Sequence, residues 1–319
     1  MPIQLMNLPV SPEYHQTRLD VFLANCHPDL SRKKAAALIE SGAVRVDDRL
    51  VITKAFLVSA GQTVAIDRPT TVLAASPDET HFLAVLYEDD DLAAVIKPGG
   101  VHSAPQRGGE RGTLAQFLLA RFPEMAAVGF SPLEPGLCHR LDFWTSGVLL
   151  AAKKQPIFKA VRLAFDLHEI KKEYLALCAG SPPDRFRIEA PIAHPTRRAA
   201  HVVTDEKKGR GAVPAATEFE TLEHFAHAAL VRAVCHTGAM HQVRAHLKEA
   251  GHPLLGDTVY GGPPEPDKRF WLHAATIELP HPRTRRPLFV ECPLPADFEA
   301  RLAALHGENP PETEEMDED

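Results

Sequence analysis

Between residues 68 and 80 the apolar patterning of the chain stops. Pro69, Thr70, Thr71, Ser76, Pro77 and Asp78 fall in this stretch, a composition that suits a linker. The break divides the 319 residues into a small segment (1–69), a linker (70–80) and a larger segment from His81, which is long enough for its own core. No run approaches the roughly 18 apolar residues of a membrane helix. Met1–Val10 lacks the basic flank and apolar core of a secretory signal, so a cytoplasmic protein without membrane contact is expected. Cys26, Cys138, Cys178, Cys235 and Cys292 are widely spaced, with no C-x-x-C pair, and read as reduced, mostly buried thiols.

The small segment reads as helix, helix, then short strands. Leu19, Phe22 and Leu23 have helical spacing after a Thr17 cap. A second helix starts at a Ser31 cap, turns Ala35, Leu38 and Ile39 inward and stops before Gly42. Val44–Val46, the Asp47-Asp48 turn and the run to Val51 read as strands, and a further strand pair is expected around Ala60-Gly61. Arg32, Lys33 and Lys34 fill the first turn of the second helix. There they oppose the helix dipole at a cost of roughly 0.3–1 kcal/mol each. Clustered charge at that end can meet phosphates, although a solvated basic turn has the same sequence. The runs R-L-D-V-F-L (18–23), L-S-R-K-K-A (30–35) and L-I-E-S-G-A-V-R-V-D (38–47) together resemble an S4 RNA-binding domain. That resemblance implies that Arg32, Lys33 and Lys34 dock on folded RNA.

In the larger segment, 82–87, 92–96 and 148–152 read as strands, and 156–169 as a helix with Ile157, Val161, Ala164 and Phe165 on one face. Strands and helices mixed without regular alternation predict an α+β domain. The glycines form neither a P-loop nor a G-x-G-x-x-G turn. Residues 308–319 hold seven acids and no Lys or Arg, and without them 35 acids balance 35 bases, although the whole chain carries −7. The end of the chain, 306–319, therefore reads as a disordered acidic tail on a neutral body, a balance that neither excludes nor requires RNA. A metal site is not expected. There is no H-E-x-x-H, and His236, His241 and His246 lie five apart, off any common helix face. Lys207-Lys208-Gly209-Arg210 can clamp a phosphate or simply be solvated.

The chemistry concentrates in three places. In Gly136–Lys153 a polar turn runs straight into a buried strand, with Asp142 at its mouth and Arg140 two residues before it. A nearby cation keeps a carboxylate ionised, as a nucleophile requires, although an Asp in such a turn is more often an Asx-turn former. In 171–177, Lys172 and Tyr174 share one face of a strand. In 237–261, Thr237 reads as a cap and Gly251 as a stop. Met240, Val243 and Leu247 form an inward stripe, while His241, Arg244 and Lys248 line another face. From that face Arg244 can reach Asp142 or a phosphate.

H-R-L-D-x-x-T-S-G-x-x-x-x-A (139–152) is similar to the active-site motif of the RluA-type pseudouridine synthases. K-E-Y at 172–174 and T-G-A-M-H-Q-V-R-A-H-L-K-E-A-G-H-P-L-L-G-D-T-V-Y-G at 237–261 are similar to two further elements of that family. The likeness continues through Trp271–Ala274 and Pro280–Pro282 and covers about 82–300. It implies Asp142 as nucleophile, with Tyr174 stacking on uracil and Arg244 pairing with the carboxylate. Arg140, Lys172, His241 and Thr145 are the expected substrate contacts or turn-shaping residues, and Trp144 either stacks on a base or packs. Ala239 and Met240 depart from the Arg-Thr pair usual after T-G. The implied fold is a small S4-like αα-β domain followed by a catalytic domain (81–305) on a mixed, largely antiparallel sheet with flanking helices. The implied activity is uridine-to-pseudouridine isomerisation in structured RNA, large-subunit ribosomal RNA ahead of transfer RNA, by a monomer. The reaction has no redox change and needs no cofactor. Two rival readings fit the same residues: a non-catalytic RNA-binding protein on the same fold, and a glycoside hydrolase, which needs a second carboxylate near Asp142, with Glu134 nearest in sequence.

Overall fold

The computed structural model describes residues 6–27, 30–40, 43–51, 53–66, 74–106, 110–193, 201–202 and 212–308. The Lys207–Arg210 loop, the stop at Gly42, linker residues 70–73 and the acidic stretch from 309 lie outside them. The chain divides into two compact units, Met1–Ala74 and Ala75–Asp319.

The first unit runs β1 (Met6–Pro9), β2 (Thr17–Arg18), α1 (Leu19–Cys26), α2 (Arg32–Glu40), β3 (Val44–Val46), β4 (Arg49–Leu50), β5 (Leu57–Val58) and β6 (Thr63–Ile66). Its antiparallel sheet has the order β1-β6-β3-β4. Leu19, Phe22, Leu23, Ala35, Ile39, Val44, Val46, Val64 and Ile66 form its core, each larger side chain contributing roughly 1.5–3 kcal/mol by burial. The Ser31 cap is present, its Oγ accepting the Lys34 N–H at 3.4 Å. The Thr17 cap is not: Thr17 pairs with Val58 in a two-strand ladder, and α1 starts after Arg18 without a side-chain cap. The strands around Ala60-Gly61 form no hairpin either. β5 pairs with β2, and β6 with β1 and β3. In both cases pairing with a distant strand outweighs the local signal.

The second unit contains β7 (Val85–Glu88), β8 (Leu92–Lys97), α3 (Leu114–Arg121), β9 (Ser146–Ala152), α4 (Gln155–Asp166), β10 (Lys171–Ala179), β11 (Arg185–Glu189), β12 (Ile192–Ala193), β13 (His201–Val202), β14 (Ala216–His224), β15 (Ala228–Cys235), α5 (Gln242–Glu249), β16 (Leu272–Pro280), β17 (Pro287–Glu291) and α6 (Ala296–Glu308). Nine strands form one sheet in the order β11-β14-β15-β10-β16-β9-β8-β7, with β17 also on β16. The ladders are antiparallel except for β16 with β9. That confirms an α+β domain on a mixed, mostly antiparallel sheet. All seven residues of β9 are buried, which is why it reads as a continuous apolar run rather than an alternating one.

Several expected boundaries shift. Residues 75–80, read as linker, pack on the second unit: Ala75 joins its core, and the buried Asp78 carboxylate accepts N–H groups from Thr80 and Gly112. The strand read at 82–87 begins at Val85, and Phe82 is 96% exposed. α4 ends at Asp166, not Glu169, and buries Phe158 beside Val161 and Ala164.

Candidate functional site

The site is built where β9 begins. Gly147 lies opposite Ala274 of β16, and Ala274 lies opposite Tyr174 of β10. The register therefore sets the tyrosine two strands across from the turn that carries Asp142. Gly147 has φ +118°, and a Cβ there would come within 2.2 Å of the Ala274 carbonyl. Only glycine permits that close strand approach.

The turn itself is pinned by backbone bonds. The Thr145 N–H donates to the Asp142 carbonyl at 3.1 Å, and the Gly100 N–H to that of Phe143 at 2.9 Å. Ser103 Oγ donates to the Leu141 carbonyl and accepts the Leu141 N–H. One turn earlier, His139 Nε2 accepts the Leu150 N–H at 3.0 Å. Burial, with Lys172 and Arg162 nearby, pushes His139 down to about 3, so its ring is neutral and able to accept.

Asp142, with 23% of its side chain exposed, meets Arg244 Nη1 at 2.9 Å through Oδ2. Arg244 is 5% exposed and Asp257 2%. Arg244 Nε and Nη2 donate to Asp257 at 2.6 and 3.0 Å. The guanidinium lies 4.8 Å from the Tyr260 ring centre and 4.3 Å from that of Phe270. Two carboxylates and two ring faces thus fix it in position. His241 Nε2 lies 3.5 Å from Asp142 Oδ1, and His241 Nδ1 2.9 Å from the Tyr260 hydroxyl. His241 precedes α5 in a left-handed conformation (φ 59°, ψ 22°). That bend, rather than helical spacing, brings it beside Arg244 at Asp142.

Tyr174 packs between two core clusters. Burial, then the sulfur of Cys235 and the Asp142 charge, raise the pKa of its phenol, so it stays protonated. Lys172 Nζ donates to the Thr237 carbonyl at 2.6 Å, which ties β10 to the segment before α5. Burial lowers the Lys172 pKa. Thr145 is buried within the turn. Arg140 is exposed and pairs at 2.8 Å with Glu134. Trp144 is half-buried, its ring against Gly100, whereas Phe143 is 36% exposed. Arg32, Lys33 and Lys34 belong to the first unit, where Arg32 Nε meets Asp20 Oδ2 at 3.0 Å.

The structure therefore gathers Asp142, Tyr174, Arg244 and His241, while Arg140 pairs with Glu134. Two expectations for 237–261 are corrected. Thr237 does not cap α5: its hydroxyl donates to Gln242 Oε1 and accepts the Ala216 N–H. Lys248 is exposed and does not join His241 and Arg244. Gly251 does follow the end of α5, with φ +85°. Three further residues of the site have no role legible in the sequence. Asp257 and Tyr260 sit in the quoted 237–261 run but show their roles only once the chain folds back on α5. Lys97 ends an apolar strand, a charge where water would be expected; it is fully buried, and burial pushes its pKa down to about 7 against the pull of Asp142.

One group of three ligand-type side chains stands together among the described residues, Asp89, Asp91 and His281. Its acceptors are already engaged. Asp89 takes Tyr87, His281 and two backbone N–H groups, and Asp91 pairs with Lys154 and Arg283.

Comparison with known proteins gives one consistent result. The family model for RNA pseudouridylate synthase matches residues 91–249, and that for the S4 domain residues 17–64. "Ribosomal large subunit pseudouridine synthase D" of Haemophilus influenzae is 31% identical over 99% of this chain and 100% of that protein. An uncharacterized RNA pseudouridine synthase of Chloroflexus aurantiacus is 37% identical, over 93% of this chain and 92% of that one. Among solved structures, human RNA pseudouridylate synthase domain containing 4 superposes with a TM-score of 0.56 at 25% identity, covering 70% of this chain and 93% of that one.

Proposed function

Because this chain belongs to the RNA pseudouridylate synthase family and carries an S4 domain ahead of the catalytic one, we propose that it isomerises a uridine of large-subunit ribosomal RNA with Asp142 as the reacting group. The observation that carries this reading is the ion pair of Arg244 Nη1 with Asp142 Oδ2 at 2.9 Å, backed by Asp257. It leaves Asp142 Oδ1 facing His241 at the open side of the turn.

The target base leaves its stack, at a cost of a few kcal/mol, and Arg140 at the exposed rim is the residue to occupy the gap. Asp142 acts on the ribose at C1′. The C1′–N1 bond breaks with its electron pair staying on the uracil, the base turns, and C5 bonds to C1′. A proton leaves C5 and one is gained at N1, so composition and oxidation state are unchanged. Tyr174, held neutral, stacks on the uracil and can pass a proton. Lys172, Thr145 and His241 hold the segments around it, and Arg32, Lys33 and Lys34 meet RNA phosphates.

The test is pseudouridine mapping of RNA from a strain lacking the protein, complemented with wild type or Asp142→Asn. Sites lost in large-subunit RNA and restored by wild type alone support the proposal. Equal rescue by Asp142→Asn removes Asp142 from the chemistry and leaves the RNA-binding role. Loss confined to transfer RNA overturns the ribosomal assignment.

A further inference from the structure

An exposed aromatic ring on a protein surface means little when it stands alone. Phe143 has company. It directly follows Asp142 and is 36% exposed. The His102 ring lies 4.6 Å from it, centre to centre, tilted by 46°, and the Trp144 ring stands edge-on at 4.8 Å. His102 has 38% of its own side chain exposed, with Glu110 Oε1 3.8 Å from Nε2.

The backbone that carries these rings is tied together. Ser103, next to His102, is buried and bonds both backbone groups of Leu141, two residues before Phe143. The His102 carbonyl takes the Leu114 N–H at 3.0 Å, and the Phe143 carbonyl takes the Gly100 N–H at 2.9 Å. Trp144 packs on Gly100, with the Arg269 guanidinium 5.8 Å from its ring centre. The rings therefore sit on backbone fixed before any ligand arrives, which lowers the ordering cost of stacking on them.

We propose that Phe143, backed by His102 and Trp144, is a stacking platform for the base of a nucleotide flanking the target uridine. Consecutive Cα atoms lie about 3.8 Å apart, close to the roughly 3.4 Å rise per nucleotide along one strand. A ring one residue from Asp142 is thus within reach of a neighbour of the base on which Asp142 acts. Every base has a π-face, so the platform selects an unstacked neighbour and not a particular base. The inference rests on the RNA substrate and on the role given to Asp142 above.

The experiment is equilibrium binding of the full-length protein to a synthetic RNA carrying the mapped uridine, and to the same RNA made abasic at the 5′ or the 3′ neighbour. Phe143→Leu keeps apolar bulk and loses the π-face. On intact RNA it is expected to weaken binding by about 5- to 150-fold, the range for one base stacked on one aromatic ring. On the RNA abasic at the stacked position, wild type should lose a comparable factor and Phe143→Leu nothing further. Phe143→Tyr should bind as wild type does, and exchanging the flanking base for another should leave affinity of the same order. Wild-type affinity in Phe143→Leu overturns the inference, as do losses from protein and RNA changes that multiply at both neighbours. If Phe143→Leu does not fold, the three RNAs decide with wild type alone: equal affinity for all of them overturns the platform. Pseudouridine formation on the intact RNA is measured alongside. No product from wild type removes the functional reading, while the coupling of Phe143 to a flanking base is still read from binding.

Discussion

Asp257 holds Arg244 through two hydrogen bonds, of 2.6 and 3.0 Å, and leaves one guanidinium nitrogen, Nη1, for Asp142 at 2.9 Å. One arginine therefore serves a buried structural carboxylate and the partly exposed one proposed to react. Its direction is set by the first before it meets the second.

Asp257→Asn should show that dependence. The amide keeps the shape but loses the charge and one acceptor. Turnover should fall by about 10²-fold as Nη1 swings away from Asp142, and urea unfolding should report a loss of about 1–3 kcal/mol for the buried donor left unpaired. Wild-type turnover in Asp257→Asn would mean that Arg244 is aimed by its aromatic neighbours instead.

Acid should weaken the first unit through Asp20. Its buried carboxylate accepts from Arg18 at 2.9 Å and meets Arg32 at 3.0 Å. The Arg18 hydrogen bond, against the opposing effect of burial, and then Arg32 lower its pKa. A carboxyl lowered on folding contributes stability above its unfolded value of about 3.9, and that contribution is lost as pH falls through the folded value. Asp20→Asn should therefore lower the urea midpoint at pH 7 and narrow the gap from wild type toward pH 2. A gap that stays constant with pH would remove the carboxylate from the account.

The basic turn of α2 has a salt signature. Lys33→Gln and Lys34→Gln should each weaken RNA binding alike across sequences and reduce the slope of log K against log salt by about 1. The rate per bound complex should not move, because the role proposed for these side chains is in affinity alone. An unchanged slope would show a solvated turn.

Much of this was legible in the chain. The H-R-L-D turn running into an apolar strand placed Asp142 at the head of β9, and helical spacing put Arg244 where it can reach that residue. Ser31 capped α2 as its position suggested, its hydroxyl taking the Lys34 N–H. Thr17 and Thr237 misled because a hydroxyl before a helix is equally good for pairing in a ladder or bonding a side chain, and tertiary partners decided between those uses. Asp257, Tyr260 and Lys97 carry no local periodic signal. Their roles come from a loop folding back over α5 and from a strand end passing beneath the turn, neither of which a sequence pattern encodes.

The pairing of Asp142 with Arg244 spans 102 positions of sequence, and this has a consequence for a chain emerging from the ribosome. Synthesis runs from the N-terminus at roughly 5–20 residues per second, so the carboxylate is made well before its cation and before the Asp257 that aims it. A nascent chain ending between 75 and 256 holds the whole first unit but lacks Asp257, the carboxylate that aims Arg244. On the role proposed for Asp142, its chemistry waits until residue 257 has been made.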